Sequence, residues 1–296
     1  MSGLLKESLE GGWRKPFCSK FPRMNDSSQS IRAWRVFGAL ALAALVSCQS
    51  APITHRPQLM IMDGGTELAL GNEVYQDMIS QAIVVKDARL NRLIMTVGRR
   101  VAAATGRGDM GWEFTLVDKE APNAYCLPGG KVVINSGILP IAQNEAGLAA
   151  VIAHEAGHAI ARHGAERGSH ARVRDLGLEL VNMGLGHTLA EKTKMRLAWG
   201  VDFVMSLAFP FSRTHELEAD EMGLVYMARA GYDPREALEF WERMVEYGYD
   251  EKKTLLEFLS THPADKTRLR KIRLLIPKVM KEYDKTDKLG MGGQIL

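Results

Sequence analysis

Cysteine is scarce in this chain: three in 296 residues, at Cys18, Cys48 and Cys126. Two lie at or before position 48, so Cys126 stands alone in the body and no disulfide framework can replace a packed core. No repeat of fixed period and no long low-complexity tract is present, which excludes a solenoid or a compositionally disordered chain. Charge of one sign is not in excess either. The 38 basic and 35 acidic side chains sum to +3, but seven basic and three acidic ones sit in positions 1–47. The remainder, 31 basic against 32 acidic, is near neutral and offers no basic stripe to nucleic acid.

The N-terminal charge has a different meaning. Arg32 and Arg35 precede Val36–Val46, an unbroken small and apolar run of eleven residues. At about 1.5 Å per residue it spans roughly half of a ~30 Å hydrocarbon layer, too short to cross and right for the apolar part of an export signal. Leu45-Val46-Ser47-Cys48 follows and resembles the bacterial lipobox, in which Cys48 is lipidated and becomes the mature N-terminus. Gln49, rather than Asp, at the next position favours the outer over the inner membrane. Met24 is an alternative start that would leave residues 1–23 untranslated. The alternative for the apolar run is a buried helix that happens to end in cysteine.

The expected organisation is a leader over 1–47, a lipid-anchored tether over 48–65 marked by Pro52, Pro57 and Gly64-Gly65, one domain over 66–285, and a disordered tail over 286–296. Apolar residues recur at helical spacing from Glu67 to about Ile83 and from about Asp87 to Ala104. Two β-like stretches follow, Trp112–Val117 and Lys131–Asn135, joined by a loop with Pro122 and Pro128-Gly129-Gly130. Asn144 caps a helix predicted to run from Glu145 to about Arg167. Further helices are predicted over His215–Arg229, from Asp233-Pro234 through Tyr247, and over Pro263–Lys281. Between 171 and 209, Met183, Leu185, Leu189, Met195, Met205 and Leu207 suggest an apolar hairpin, a core element or a surface that rests on a membrane. The fold class is α+β, predominantly α-helical, with a small sheet.

His154-Glu155-Ala156-Gly157-His158 carries the chemistry. Four residues apart on a helix, both imidazoles face one way and reach one metal, with Glu155 on the adjacent side to take a proton from water. The flanking Val151, Ile152, Ala153, Ala159, Ile160 and Ala161 would make so polar a cluster costly to bury unless a cation pairs with it. Small Ala156 and Gly157 permit close approach of a second element. A surface helix that happens to carry two histidines is the alternative. Zn2+ suits two imidazoles and a carboxylate with a fourth position open. No third histidine follows at metzincin spacing, and His163, five residues on in a continuous helix, points elsewhere. Downstream, Glu216 and Asp220 are again four apart, a geometry that lets Glu216 bind the metal while Asp220 holds a ligand histidine's outer N–H. Glu218 competes for the ligand role but stands at the wrong phase, and an acidic solvated face is the alternative for the whole segment.

Four segments together resemble the zinc metallopeptidase family of the prenyl-protein (CAAX) endopeptidase, the bacterial membrane heat-shock protease and the mitochondrial inner-membrane stress protease. They are Asn123–Gly130, His154–His158 with Arg162–Glu166 behind it, Ser212-Arg213 with Glu216–Asp220, and Ser260-Thr261-His262-Pro263. The resemblance implies a gluzincin-type domain, Glu216 as third ligand, Asp220 behind a ligand, and a lipid-anchored periplasmic branch, because the spanning helices of other branches are missing. It implies polypeptide substrates, namely unfolded or misassembled envelope proteins, in quality control. His262 falls where some relatives place a histidine that occupies the metal's open position. Lys131, Val132, Val133, Ile134 and Asn135 could form an edge strand that a substrate extends by β-augmentation, or an ordinary core strand. Arg213 could stabilise an oxyanion or form a structural ion pair. The rival reading is a lipid-anchored chaperone or assembly factor with a latent or structural metal site.

Overall fold

Nearly every side chain of the helix that carries the two histidines is buried, and the rest of the fold is arranged to bury it. The computed structural model describes residues 48–184, 211–250, 262 and 266–296. It falls into two units, Met1–Leu45 and Val46–Leu296, and all described residues lie in the second. The apolar hairpin expected between 171 and 209 lies outside the described residues from position 185 on, as does the leader.

In chain order, β1 (Cys48–Ser50) and β2 (Pro57–Leu59) form an antiparallel pair and precede α1 (Gly64–Gln81) and α2 (Ala88–Ala104). Asp87 caps α2 by accepting from the Leu90 N–H at 2.9 Å. Next come β3 (Glu113–Val117), β4 (Ala124–Leu127), β5 (Lys131–Asn135) and short α3 (Leu139–Ala142). The motif helix is α4 (Glu145–Ile160), followed by α5 (His163–Gly184), α6 (Arg213–Arg229), α7 (Arg235–Asp250) and α8 (Lys266–Tyr283). The helix-dominated α+β reading holds.

Asn144 is the expected cap of α4, accepting from Gly147 N–H at 2.9 Å. Helix α6 runs antiparallel to α4 at close range. A Cβ on Gly157 would come within 3.0 Å of the Ala219 carbonyl, and one on Gly223 within 3.0 Å of the His154 nitrogen. Glycine at these two positions lets the helix carrying Glu216 approach the helix carrying the histidines.

Several expectations are corrected. Strand β5 is the centre of its sheet, in the order β3-β5-β4, parallel to β3 and antiparallel to β4. Val132, Val133 and Ile134 are buried, because a helix or strand covers each face and side of this strand. Of the two readings of 131–135, the ordinary core strand holds and the substrate-binding edge strand does not. Strand β4, which the loop reading missed, has a partner on one side only among the described residues.

The predicted helix 145–167 breaks at Arg162, whose φ is 57°, and restarts at His163. The tether is not loose: Ala51, Gln58, Met60 and Met62 are buried and Arg56 pairs with two buried carboxylates of the body. The tail is not free either. The first N–H groups of α4 need acceptors, and Glu145 and Ala146 find them in the tail carbonyls of Gly293 and Met291 at 2.9 and 3.0 Å. Ile295 is buried beneath them.

Candidate metal centre

One helical turn brings His154 and His158 together, with their Nε2 atoms 3.2 Å apart. From α6, Glu216 sets one carboxylate oxygen 3.5 Å from His154 Nε2 and the other 3.4 Å from His158 Nε2. His262 joins them, its Nδ1 3.2 Å from Glu216 Oε1 and 3.4 Å from His154 Nε2. Ligand atoms of all four lie within 4.8 Å of one another, and all four residues are buried. Glu155 faces the same space, its Oε1 3.5 Å from His262 Nε2.

A cation fits this set. Two imidazole nitrogens that point at each other and at a carboxylate are a donor set that converges on one point. Glu155 Oε1 is buried without an aligned hydrogen bond, and Glu216 Oε2 meets Arg268 and His154 only as ion-pair contacts at 2.8 and 3.5 Å. Facing nitrogens and carboxylate oxygens so poorly paired among themselves cost free energy that a metal ion would recover.

The electrostatics agree. Burial raises the Glu216 pKa, but His262, Arg268 and His158 together outweigh it and hold the carboxyl well below its usual range. Burial keeps His158 neutral by lowering its pKa well below the ordinary value. For His154, burial acts downward, yet Asp220 and Glu216 prevail and the pKa rises to about 9. Burial pushes the Glu155 carboxyl upward against the opposing pull of His262 and His154, the direction that suits a group which must accept and return a proton.

Asp220 stands where helical phase predicts, its Oδ1 3.0 Å from His154 Nδ1, an ion-pair contact rather than an aligned hydrogen bond. Arg213, by contrast, opens α6 as an exposed residue while Glu216, three positions on, turns inward.

Residues 88–276 match the profile described as Peptidase family M48. The chain is 32% identical over 259 residues to the mitochondrial metalloendopeptidase OMA1 of Schizosaccharomyces pombe, covering 85% of this chain and 74% of that one. The protein of that name from Saccharomyces cerevisiae is also 32% identical, over 87% of this chain and 77% of its own. The beta-barrel assembly-enhancing protease of Escherichia coli K12 is 28% identical over 71% of this chain and 43% of that one.

The chain belongs to peptidase family M48. A family M48 metalloendopeptidase needs metal ligands, a proton-accepting group and room for a peptide, and the cluster brings together side chains of the types that the first two require. Beside His158 a small cavity is lined by Glu67, Cys126, Pro128, Arg162 and Phe211, which brings β4 to the site through Cys126. Phe211 stacks on the His158 ring with centroids 4.0 Å apart.

Of three further residues at this site, Arg268 escaped the sequence reading, and His163 and Glu218 were weighed there without the roles they take. Arg268 is buried, grips Asp220 through two hydrogen bonds of 2.9 and 2.7 Å, and lies 2.8 Å from Glu216. His163 places its Nδ1 2.9 Å from the Nδ1 of His158, and its Nε2 2.9 Å from Glu218. Glu218, which phase removed from the ligand set, is the carboxylate behind that second histidine. The helix break at Arg162 could not be seen because no Gly or Pro marks it.

Proposed function

We propose that this metalloendopeptidase is zinc-dependent, with zinc held by His154, His158 and Glu216, and that it hydrolyses unfolded or misassembled proteins of a bacterial cell envelope. The observation that carries the catalytic part is the convergence of buried ligand atoms within 4.8 Å beside the Glu155 carboxylate. Two imidazoles and one carboxylate are a donor set that suits zinc. Bound there, the metal supplies Lewis acidity and lowers the pKa of a water to about 7.

The chain's own residues do the rest. Glu155 takes a proton from the attacking water and returns it to the leaving amine. Asp220 holds His154 from behind and fixes its orientation. His262, wedged between Glu155 and Glu216, occupies the space that water and a substrate carbonyl require, so it acts as a plug that must move aside. A substrate strand has β4, rather than β5, to add to.

Glu155→Gln tests the catalytic part. It should keep the metal content of the parent and lose casein cleavage by about 10²- to 10⁴-fold, the size of general acid–base catalysis. Retained cleavage would refute the base assignment. Full loss of metal-dependent cleavage from the parent itself would favour the chaperone reading.

The envelope location is supported by Leu45-Val46-Ser47-Cys48 and by the relative whose name concerns β-barrel assembly. The mitochondrial relatives favour a different compartment. Radiolabelled palmitate separates the two: label in the full chain that vanishes with Cys48→Ser supports a lipoprotein, and an unlabelled parent sinks it.

A further inference from the structure

Residues 49–62 belong to the 48–65 span expected to be a tether, yet their side chains reach the carboxylates behind the metal centre. Arg56 donates to Glu166 at 2.7 and 2.6 Å and to Glu218 at 2.9 and 2.7 Å. The Thr54 hydroxyl donates to the other oxygen of Glu218. Gln58 donates to the Ala161 carbonyl at 2.7 Å, at the last turn of α4. At the break itself, Arg162 donates to Gln49 at 3.0 Å and to the Met62 carbonyl at 2.9 Å. Ile53 and His55, on either side of Thr54, sit at φ 66° and 56°, a left-handed conformation that non-glycine residues keep only where the surroundings enforce it.

Proton bookkeeping gives this network a direction. If the His158 Nε2 lone pair faces a metal, its Nδ1 carries the proton and donates to His163 Nδ1, 2.9 Å away. His163 then bears its proton on Nε2 and donates it to Glu218 at 2.9 Å. Glu218 is held in place by Arg56 and Thr54. Every donor has an acceptor, with both histidines neutral.

The same neighbourhood could be read as a second cation site, since ligand atoms of His163, Glu166 and His215 lie within 4.8 Å of one another. Arg56 argues against it. Its guanidinium already supplies the positive charge between Glu166 and Glu218, and His163 Nε2 is committed to Glu218.

We propose that the hairpin of residues 49–62 is a positioning clamp for the metal centre, acting on His158 through Arg56, Glu218 and His163. His163, Glu218 and Arg56 are positioning residues that set the tautomer and aim of a ligand. This rests on the reading of His154, His158 and Glu216 as metal ligands. The clamp lies outside residues 88–276, the part that matches the family profile.

The test uses the full chain loaded with cobalt(II), whose visible absorption reports ligand geometry, and zinc affinity by competition with a chelator. Arg56→Met and His163→Leu should each weaken metal binding about 10- to 100-fold, the usual effect of removing an outer partner of a ligand histidine. Both should alter the cobalt spectrum. His163→Asn, which retains a polar atom near the Nδ1 position but cannot reach Glu218, should fall between parent and His163→Leu. Because both act through one route, Arg56→Met added to His163→Leu should cost less than the two separate losses combined.

Folded variants with parent affinity and spectrum overturn the clamp, and strictly multiplicative losses overturn the relay. If His163→Leu fails to fold, His163→Asn and Arg56→Lys carry the test, and parent-like binding in both is a refutation. A parent chain that binds no cobalt at all would sink the metal centre itself, an outcome distinct from failure of the clamp alone.

Discussion

The two histidines of the motif stand one turn apart on the same helix and are braced in unlike ways. Behind His154 the support is short and charged: Asp220 from α6, which packs on α4, then Arg268 from α8, which packs on α6, and both residues are buried. Behind His158 it is longer and runs through a neutral ring: His163, then Glu218, then a partly exposed Arg56 from the start of the domain. A site with one nearby brace and one distant brace can lose the distant one and still hold a fold. That difference predicts which changes destroy the protein and which only detune its metal.

The largest effect is expected from Arg268→Met. It would strand Asp220 and Glu216 as buried carboxylates without their cation, and breaking a buried pair from one side typically costs about 3–5 kcal/mol. Urea unfolding of the metal-free chain measures it, and a loss under 1 kcal/mol would place Arg268 among dispensable contacts. Arg56, at the end of the other brace, also pairs with two buried carboxylates, but it is 23% exposed, so water can reach its place and its loss should cost less stability than that of Arg268.

An intermediate effect concerns His262, which belongs to the His154 side: it lies 3.4 Å from that ring, and its carbonyl accepts from Arg268 at 3.5 Å. Removing the plug with His262→Ala should raise casein turnover. The gain is roughly tenfold if the open form is populated at about one part in ten. Unchanged or slower turnover would show that His262 does not block the site.

The smallest effect is on the pH dependence of the metal-free chain, where the two sides should act in opposite senses. His154 has its pKa raised to about 9, because Asp220 and Glu216 outweigh burial. Its contribution is complete below about 6.5 and is lost as pH rises through 9. His163 has its pKa lowered to about 4, chiefly by burial, so its contribution is complete above about 6.5 and is lost as pH falls through 4. Glu218 adds a second acid loss between about 4.5 and 2: burial opposes ionisation there, but His163, Arg56 and Thr54 prevail. Stability should therefore peak near neutrality. In a His163→Asn chain the acid limb between 6.5 and 4 should become shallower, the buried His158 supplying the remainder, while the alkaline limb stays.

The contrast also marks what was legible in the sequence. Everything on the His154 side that depends on helical phase could be read: the two histidines, Glu155, and the Glu216–Asp220 pair four residues apart. Arg268 could not, because a lone arginine in a basic amphipathic helix carries no mark of burial. The His158 side was misread at each step. At the break Arg162 donates tertiary hydrogen bonds to Gln49 and to the Met62 carbonyl, partners that no local pattern announces, and in an unbroken helix His163 falls on the wrong face. Prolines and glycines made 48–65 look like a linker, although its polar side chains serve carboxylates more than a hundred residues away. Residues 131–135 were recognised as a strand, but strand order depends on a third strand, β4, whose four residues have too little pattern to be seen.

The β1–β2 pair also bears on reach. A slack segment over 48–65 could extend roughly 60 Å at about 3.3–3.6 Å per residue, far enough to patrol a wide compartment. Here Cys48 is already in register with Leu59. If an acyl chain is attached at Cys48, almost no leash remains, and the peptidase works as a surface-bound tool whose substrates must come to the bilayer.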